Sequence, residues 1–231
     1  MGKQRAGVAS VMAAVGVYAM YRAELWPRLQ TWGALDEEIV AELPGDEFVR
    51  PGVARTTRAA TIDAPRQDIW PWIAQIGEGR GGFYSYSALE RAVGADIINA
   101  DVVHPEWQDI EKGDTIWLAR RYGPSARQIV AAVQPGSHLV LVSPEDLNRL
   151  QRGEKASGCW AFVLRQQAGW MRLLVRGSGP LVGNPLFDVP HFVMERKMMR
   201  GIAERAEGLN RMEVAVYSSQ HPAGADMARH L

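Results

Sequence analysis

Apolar and polar positions divide this chain into stretches of different period. Residues 6–21 (AGVASVMAAVGVYAMY) carry no charge, between Lys3 and Arg5 on one side and Arg22, Glu24 and Arg28 on the other. The run is slightly shorter than the ~17 apolar residues a spanning helix needs, and its Ala/Gly content weakens insertion. Three readings stand: a single membrane anchor, a secretory signal without a convincing cleavage site, or a helix docked on the domain that follows. The first makes this a single-pass membrane protein of unassigned side, with membrane contact through residues 6–21. A soluble cytoplasmic protein is the runner-up.

Beyond the run, Asp36–Glu38 predict a short helix that stops before Leu43-Pro44-Gly45-Asp46. Thr56–Asp63 reads as a strand. Arg66–Ile76 places Ile69, Trp70, Ile73 and Ile76 at helical spacing, with Pro71 tolerable only early or as a kink. Ser85–Val93 reads as a helix ended by Gly94. Five β-rich segments follow: 114–119, 127–133, 138–142, 159–166 and 170–176. In the last two, Trp160, Phe162 and Leu164 share one face, as do Met171, Leu173 and Val175. Residues 143–156 and 177–190 read as loops, and Phe192–Leu209 as the longest helix. Strands grouped apart from helices predict an α+β fold. A long helix laid over a curved antiparallel sheet commonly leaves a ligand-sized gap.

Six stretches carry a resemblance: LPGDE (43–47), TIDAP (61–65), IWPWIAQIGEGRGGFYSY (69–86), LERAVGADIINAD (89–101), PEWQDIEKGD (105–114) and HFVMERKMMRGIAERAE (191–207). They resemble the SRPBCC superfamily, the START-like or helix-grip group of polyketide cyclases and lipid-transfer domains, in an uncharacterised bacterial branch with N-terminal membrane segments. The resemblance spans roughly residues 43–208. It implies a curved antiparallel sheet wrapped around a long C-terminal helix, preceded here by the N-terminal apolar helix. The expected organisation is an anchor at 1–28, a connector at 29–55, a helix-grip domain at 56–209 and a flexible tail at 210–231. One such fold hosts many functions.

Composition narrows the function classes. The 26 basic and 26 acidic side chains cancel, which argues against a nucleic-acid partner. The single cysteine, Cys159, excludes an internal disulfide framework, and it reads as a small core residue. The glycine cluster at 77–82 lacks the Lys-Ser/Thr pair of a phosphate loop and the context of a nicotinamide site. No cofactor is expected. No metal is expected either, because His104 with Glu106 and His191 with Glu195 form no recognised ligand motif.

Candidate chemistry falls in two places. Glu195 lies on the apolar stripe Phe192, Met199, Ile202, Ala206, Leu209, with His191 one turn before it. A carboxylate there needs a partner. It is either a general base or ligand anchor, or one half of a structural bridge to an arginine such as Arg80. The second place is the polar stretch holding Arg80, Tyr84, Tyr86, Glu90, Asp96, Asn99 and His104. A catalytic set would be Glu195 with His104, or with Tyr84 or Tyr86. Ligand-binding candidates are Arg80, Tyr86, Asp96, Asn99, Trp107, Trp117, Trp160 and His191. The expected function is binding of a hydrophobic small molecule or lipid between sheet and helix. The alternatives are a polyketide cyclase- or dehydratase-like enzyme, and a structural subunit of a membrane complex whose cavity side chains fill. The ligand, the protein partner and the oligomeric state are not written in the sequence.

Overall fold

The computed structural model describes residues 12–220 except 14 and 93, with side chains through 209 and at 212. Six strands form one fully antiparallel sheet: β1 (Arg55–Ile62), β2 (Thr115–Trp117), β3 (Arg127–Gln134), β4 (His138–Val142), β5 (Cys159–Gln167) and β6 (Trp170–Ser178), in the order β1-β6-β5-β4-β3-β2. The β5–β6 hairpin pairs in continuous register from Cys159↔Ser178 to Gln167↔Trp170. A register shift between Val130 and Ala132 interrupts β3 against β4, the kind of irregularity that bends a strand.

The helices are α1 (Trp26–Gln30), α2 (Asp36–Val40), α3 (Arg66–Ala74), α4 (Ser87–Ala92), α5 (Pro144–Gln151) and α6 (Pro185–Gln220). Helices α3 and α6 cover one face of the sheet. The main core lies between them, with Trp72, Ile73, Phe162, Leu173, Met199 and Ile202 at its centre. The other face is covered as well. Leu43, Val140, Val142, Ala161, Val163 and Leu174 form a second core, closed by Ala34, Phe48, Val49, Leu147 and Leu150. The stretch expected as a connector, 29–55, therefore packs on the back of the sheet.

Burial on both faces explains the arginines that alternate with apolar residues in β6. Arg172 points to the back face and pairs with Glu38 at 2.6 and 2.8 Å. Arg176 uses all five of its N–H groups there, on Thr57, Ala41, Asp46, Glu38 and Ile39.

Several expectations are corrected. Residues 143–156 are not simply a loop. Ser143 caps α5 by accepting the Asp146 N–H at 3.0 Å, and Pro144 supplies the first turn. The long helix begins at Pro185 rather than Phe192, because Asn184 and Pro185 form a start signal, with the Asn184 side chain accepting the Leu186 N–H at 3.0 Å. It runs on through Gln220. Pro71 sits inside α3, beyond its first turn.

The membrane anchor expected at residues 1–28 falls in part outside the described residues. Residues 6–11 and 14 of the apolar run lie outside the described residues, and among the described residues no helix is long and apolar enough to cross a membrane. The end of the run instead meets the domain. A π-helical turn, Tyr21–Leu25, leads into α1. Tyr21 is buried and donates to Asp188 at 2.8 Å, and Trp26 Nε1 donates to the same carboxylate at 2.7 Å. Asp188 also accepts the Gly183 N–H. This clasp ties the N-terminal helix to the start of α6.

Candidate functional site

A cavity of about 660 Å³ opens between the sheet and α6. Its walls are mainly apolar: Phe83, Ile97 and Leu118 on the loop side, Phe187, Met194 and Met198 on α6, and Trp160 on β5. Residues 177–182, the end of β6 and the turn after it, border it next to the clasp.

Glu195 lies in this wall, 3 % exposed. Its partner is Arg58, not Arg80. The two side chains form a salt bridge in which both are almost wholly buried. Trp160 Nε1 donates to the other carboxylate oxygen at 2.8 Å. Arg58 also donates to the Leu29 carbonyl at 2.6 Å and from Nη1 to His191 Nδ1 at 3.2 Å. A guanidinium only donates, so His191 Nδ1 is the acceptor and the neutral ring carries its proton on Nε2. That nitrogen faces Glu195 at 3.8 Å. The ring also stacks on Phe187, with centroids 4.9 Å apart. Burial, helped by the neighbouring guanidinium and opposed by Glu195, holds His191 below the usual imidazole value.

Three of the residues picked from sequence thus converge at the cavity: Glu195, Trp160 and His191. The others do not line it. Tyr84 is buried in the core, at positive φ, edge-on to Trp72 at 5.7 Å and beneath Arg205. Burial pushes its phenol well above the usual value. Gly201 of α6 approaches its backbone so closely that a Cβ there would sit 2.5 Å from the Tyr84 carbonyl oxygen. His104 lies at the surface, donating from Nδ1 to Glu106 at 3.1 Å and packed on Trp107 with centroids 4.2 Å apart. Tyr86 and Asp96 are exposed. Arg80 donates to the Ala74 and Trp107 carbonyls at 2.9 and 2.7 Å. Asn99 accepts the Phe83 and Tyr84 N–H groups and donates to Ser85 and Ser87, clamping that turn. Trp117 is sandwiched by Arg120 and Arg127, at 5.4 and 5.8 Å. The catalytic set of Glu195 with His104 and a tyrosine is therefore not assembled. The polar stretch is largely a loop scaffold held by Asn99 and Arg80, with Arg80 Nε, the Tyr84 hydroxyl and the Glu90 carboxylate left without partners.

The sequence reading missed Arg58, Phe83, Met194 and Met198, and named Glu90 only as one member of the polar stretch. Signals existed for some. In β1, Arg58 shares parity with Ile62, a core position. On α6, His191, Met194, Glu195 and Met198 recur at helical spacing beside the core stripe. Among the described residues, no group of three or more His, Cys, Asp or Glu side chains is placed to hold a metal. Cys159 borders the cavity, and burial raises its thiol to about 11, which keeps it unreactive.

No protein-family model matches this chain, and no curated protein matches it. Solved structures with remote similarity exist. Protein SSP2350 from Staphylococcus saprophyticus aligns at 8 % identity over 67 % of this chain and 92 % of its own, with a TM-score of 0.41. An AHSA1-like protein from Aeromonas hydrophila aligns at 9 % identity over 68 % and 94 %, TM-score 0.38. A Polyketide_cyc-like protein, Cgl2372 from Corynebacterium glutamicum, aligns at 12 % identity over 78 % and 98 %, TM-score 0.27.

Proposed function

We propose that this protein binds a hydrophobic small molecule or lipid in the cavity between the sheet and α6. The observation that carries this reading is the cavity itself. Its volume of about 660 Å³ falls inside the ~300–1,000 Å³ range of small-molecule sites. Its walls offer mainly carbon surface, while the cluster of Arg58 with Glu195, Trp160 and His191 is paired within itself except at Arg58 Nη2. An apolar space of this size loses packing contacts when empty, and an apolar ligand restores them.

The surroundings of the opening favour a ligand that partitions into lipid. Leu181 borders the cavity and is 54 % exposed, and Leu186 nearby on α6 is 87 % exposed. Tyr18, Met20 and Leu25 expose further apolar surface on the helix clasped to the same region. A bilayer surface, touched by this collar, is the proposed source of the ligand.

The test is titration of the full chain with N-phenyl-1-naphthylamine, a non-basic fluorophore that brightens in apolar sites. Saturable brightening with quenching of tryptophan emission is expected, and Ala95→Phe, which fills the cavity wall, should abolish it while the variant remains folded. Absence of saturable binding to the wild-type protein would overturn the proposal.

A further inference from the structure

Glu90 is the polar group of the cavity that the binding proposal leaves unused. It sits on α4, is 3 % exposed and lines the wall. Neither carboxylate oxygen has a hydrogen-bond partner. The nearby Asn99 amide has already committed its two N–H bonds, to the Ser85 carbonyl and the Ser87 hydroxyl. A buried carboxyl group without a partner is costly, and the cavity is where a partner can arrive.

The rest of the wall says which chemistry suits it. Arg58 neutralises Glu195. Asp146 accepts from the Ser143 and Ser157 hydroxyls, with Arg149 at 3.9 Å. Among the described residues, no lysine or arginine lines the cavity. An anionic head group would therefore meet the unpaired Glu90 with no cationic side chain on the wall to hold it. A cation would meet Glu90, the field of Asp146 and the ring faces of Phe83, Trp160 and Phe187.

We infer that Glu90 binds an ammonium group, so that the ligand class is a hydrophobic amine with its apolar body against Phe83, Ile97, Met194 and Met198. This rests on the binding proposal and deepens it. Burial raises the Glu90 carboxyl above its usual range, against the pull of Arg91 and of the nearby Asn99 side chain. When the ammonium seats, the two charges pair, and the neighbouring cation draws the carboxyl back toward its usual range.

The experiment displaces N-phenyl-1-naphthylamine from the full chain at pH 7 with dodecylamine, 1-dodecanol or dodecanoate, which share one apolar body. Dodecylamine is expected to compete at roughly tenfold lower concentration than dodecanol, the size of one charge-assisted hydrogen bond. Glu90→Gln and Glu90→Leu should each erase that preference and leave dodecanol unchanged. Equal competition by amine and alcohol in the wild type, or tightest binding of dodecanoate, would overturn the amine assignment and leave apolar binding intact. Failure of the fluorophore and all three competitors to bind would overturn both. Should one variant unfold, the other variant and the wild-type ranking still decide.

Discussion

At the scale of single residues, the cluster around Arg58 turns on donor and acceptor roles. Because Arg58 can only donate, protonating His191 at Nδ1 sets an N–H against a guanidinium. The imidazole is thus neutral in the fold while the unfolded chain already takes up a proton near pH ~6.5. The unfolded state binds more protons as pH falls through that value, so stability is lost on acidification. Thermal melting between pH 7 and 5 should show the wild type losing stability faster than His191→Gln, and parallel curves would contradict this assignment. Glu195→Gln makes a different point. It leaves the Arg58 cation buried and uncompensated, a loss of roughly 3–5 kcal/mol in denaturant titrations. Glu195 was legible as a buried carboxylate from helical spacing alone. Its partner was not, because Arg58 and Glu195 are 137 residues apart and no local pattern links them.

At the scale of elements, the back of the sheet shows how much a covering segment contributes. Arg176 fastens β6 to residues 38–46 through four hydrogen bonds and to Thr57 of β1 through a fifth. Arg176→Ala should cost on the order of 3–5 kcal/mol, since it strands Asp46 and several carbonyls, and equilibrium urea unfolding measures it. The clasp is a smaller joint. Asp188→Asn should speed amide hydrogen exchange in residues 15–30 without lowering the protection of β5 and β6, because it loosens only the hydrogen bonds from Tyr21, Trp26 and Gly183. The strands were readable from alternation and the main helices from their period. Helix α5 was hidden by its polar composition, although Ser143-Pro144-Glu145-Asp146 carries both a cap and a first-turn proline. The first two turns of α6 were hidden by Pro190, which reads as a break when taken alone.

At the scale of the whole molecule, stability and occupancy are linked. A ligand that binds only the folded state stabilises it by about 2.7 kcal/mol at a hundred times its Kd. Dodecylamine should therefore raise the melting temperature of the wild-type chain in proportion to the logarithm of its concentration. The same additions to Ala95→Phe should leave the midpoint unmoved, since that variant keeps the fold and lacks the space. Calorimetry or intrinsic tryptophan emission follows both.

Periodicity in the sequence by itself determined the α+β class, the antiparallel hairpins and the place of the long C-terminal helix, because those follow from local spacing and turn residues. It also placed Glu195 and His191 on one helical face. Tertiary structure alone decided which polar groups share the cavity. The Tyr84 and His104 side chains lie close in sequence to cavity residues yet fall elsewhere, one into the core and one onto the surface. Arg58 and Glu90 enter from distant elements. It also decided what the apolar run does at its end, where the buried Tyr21 meets Asp188 on another helix. Contacts of this kind depend on where loops carry the chain in space, and spacing along a helix or strand does not reach that far.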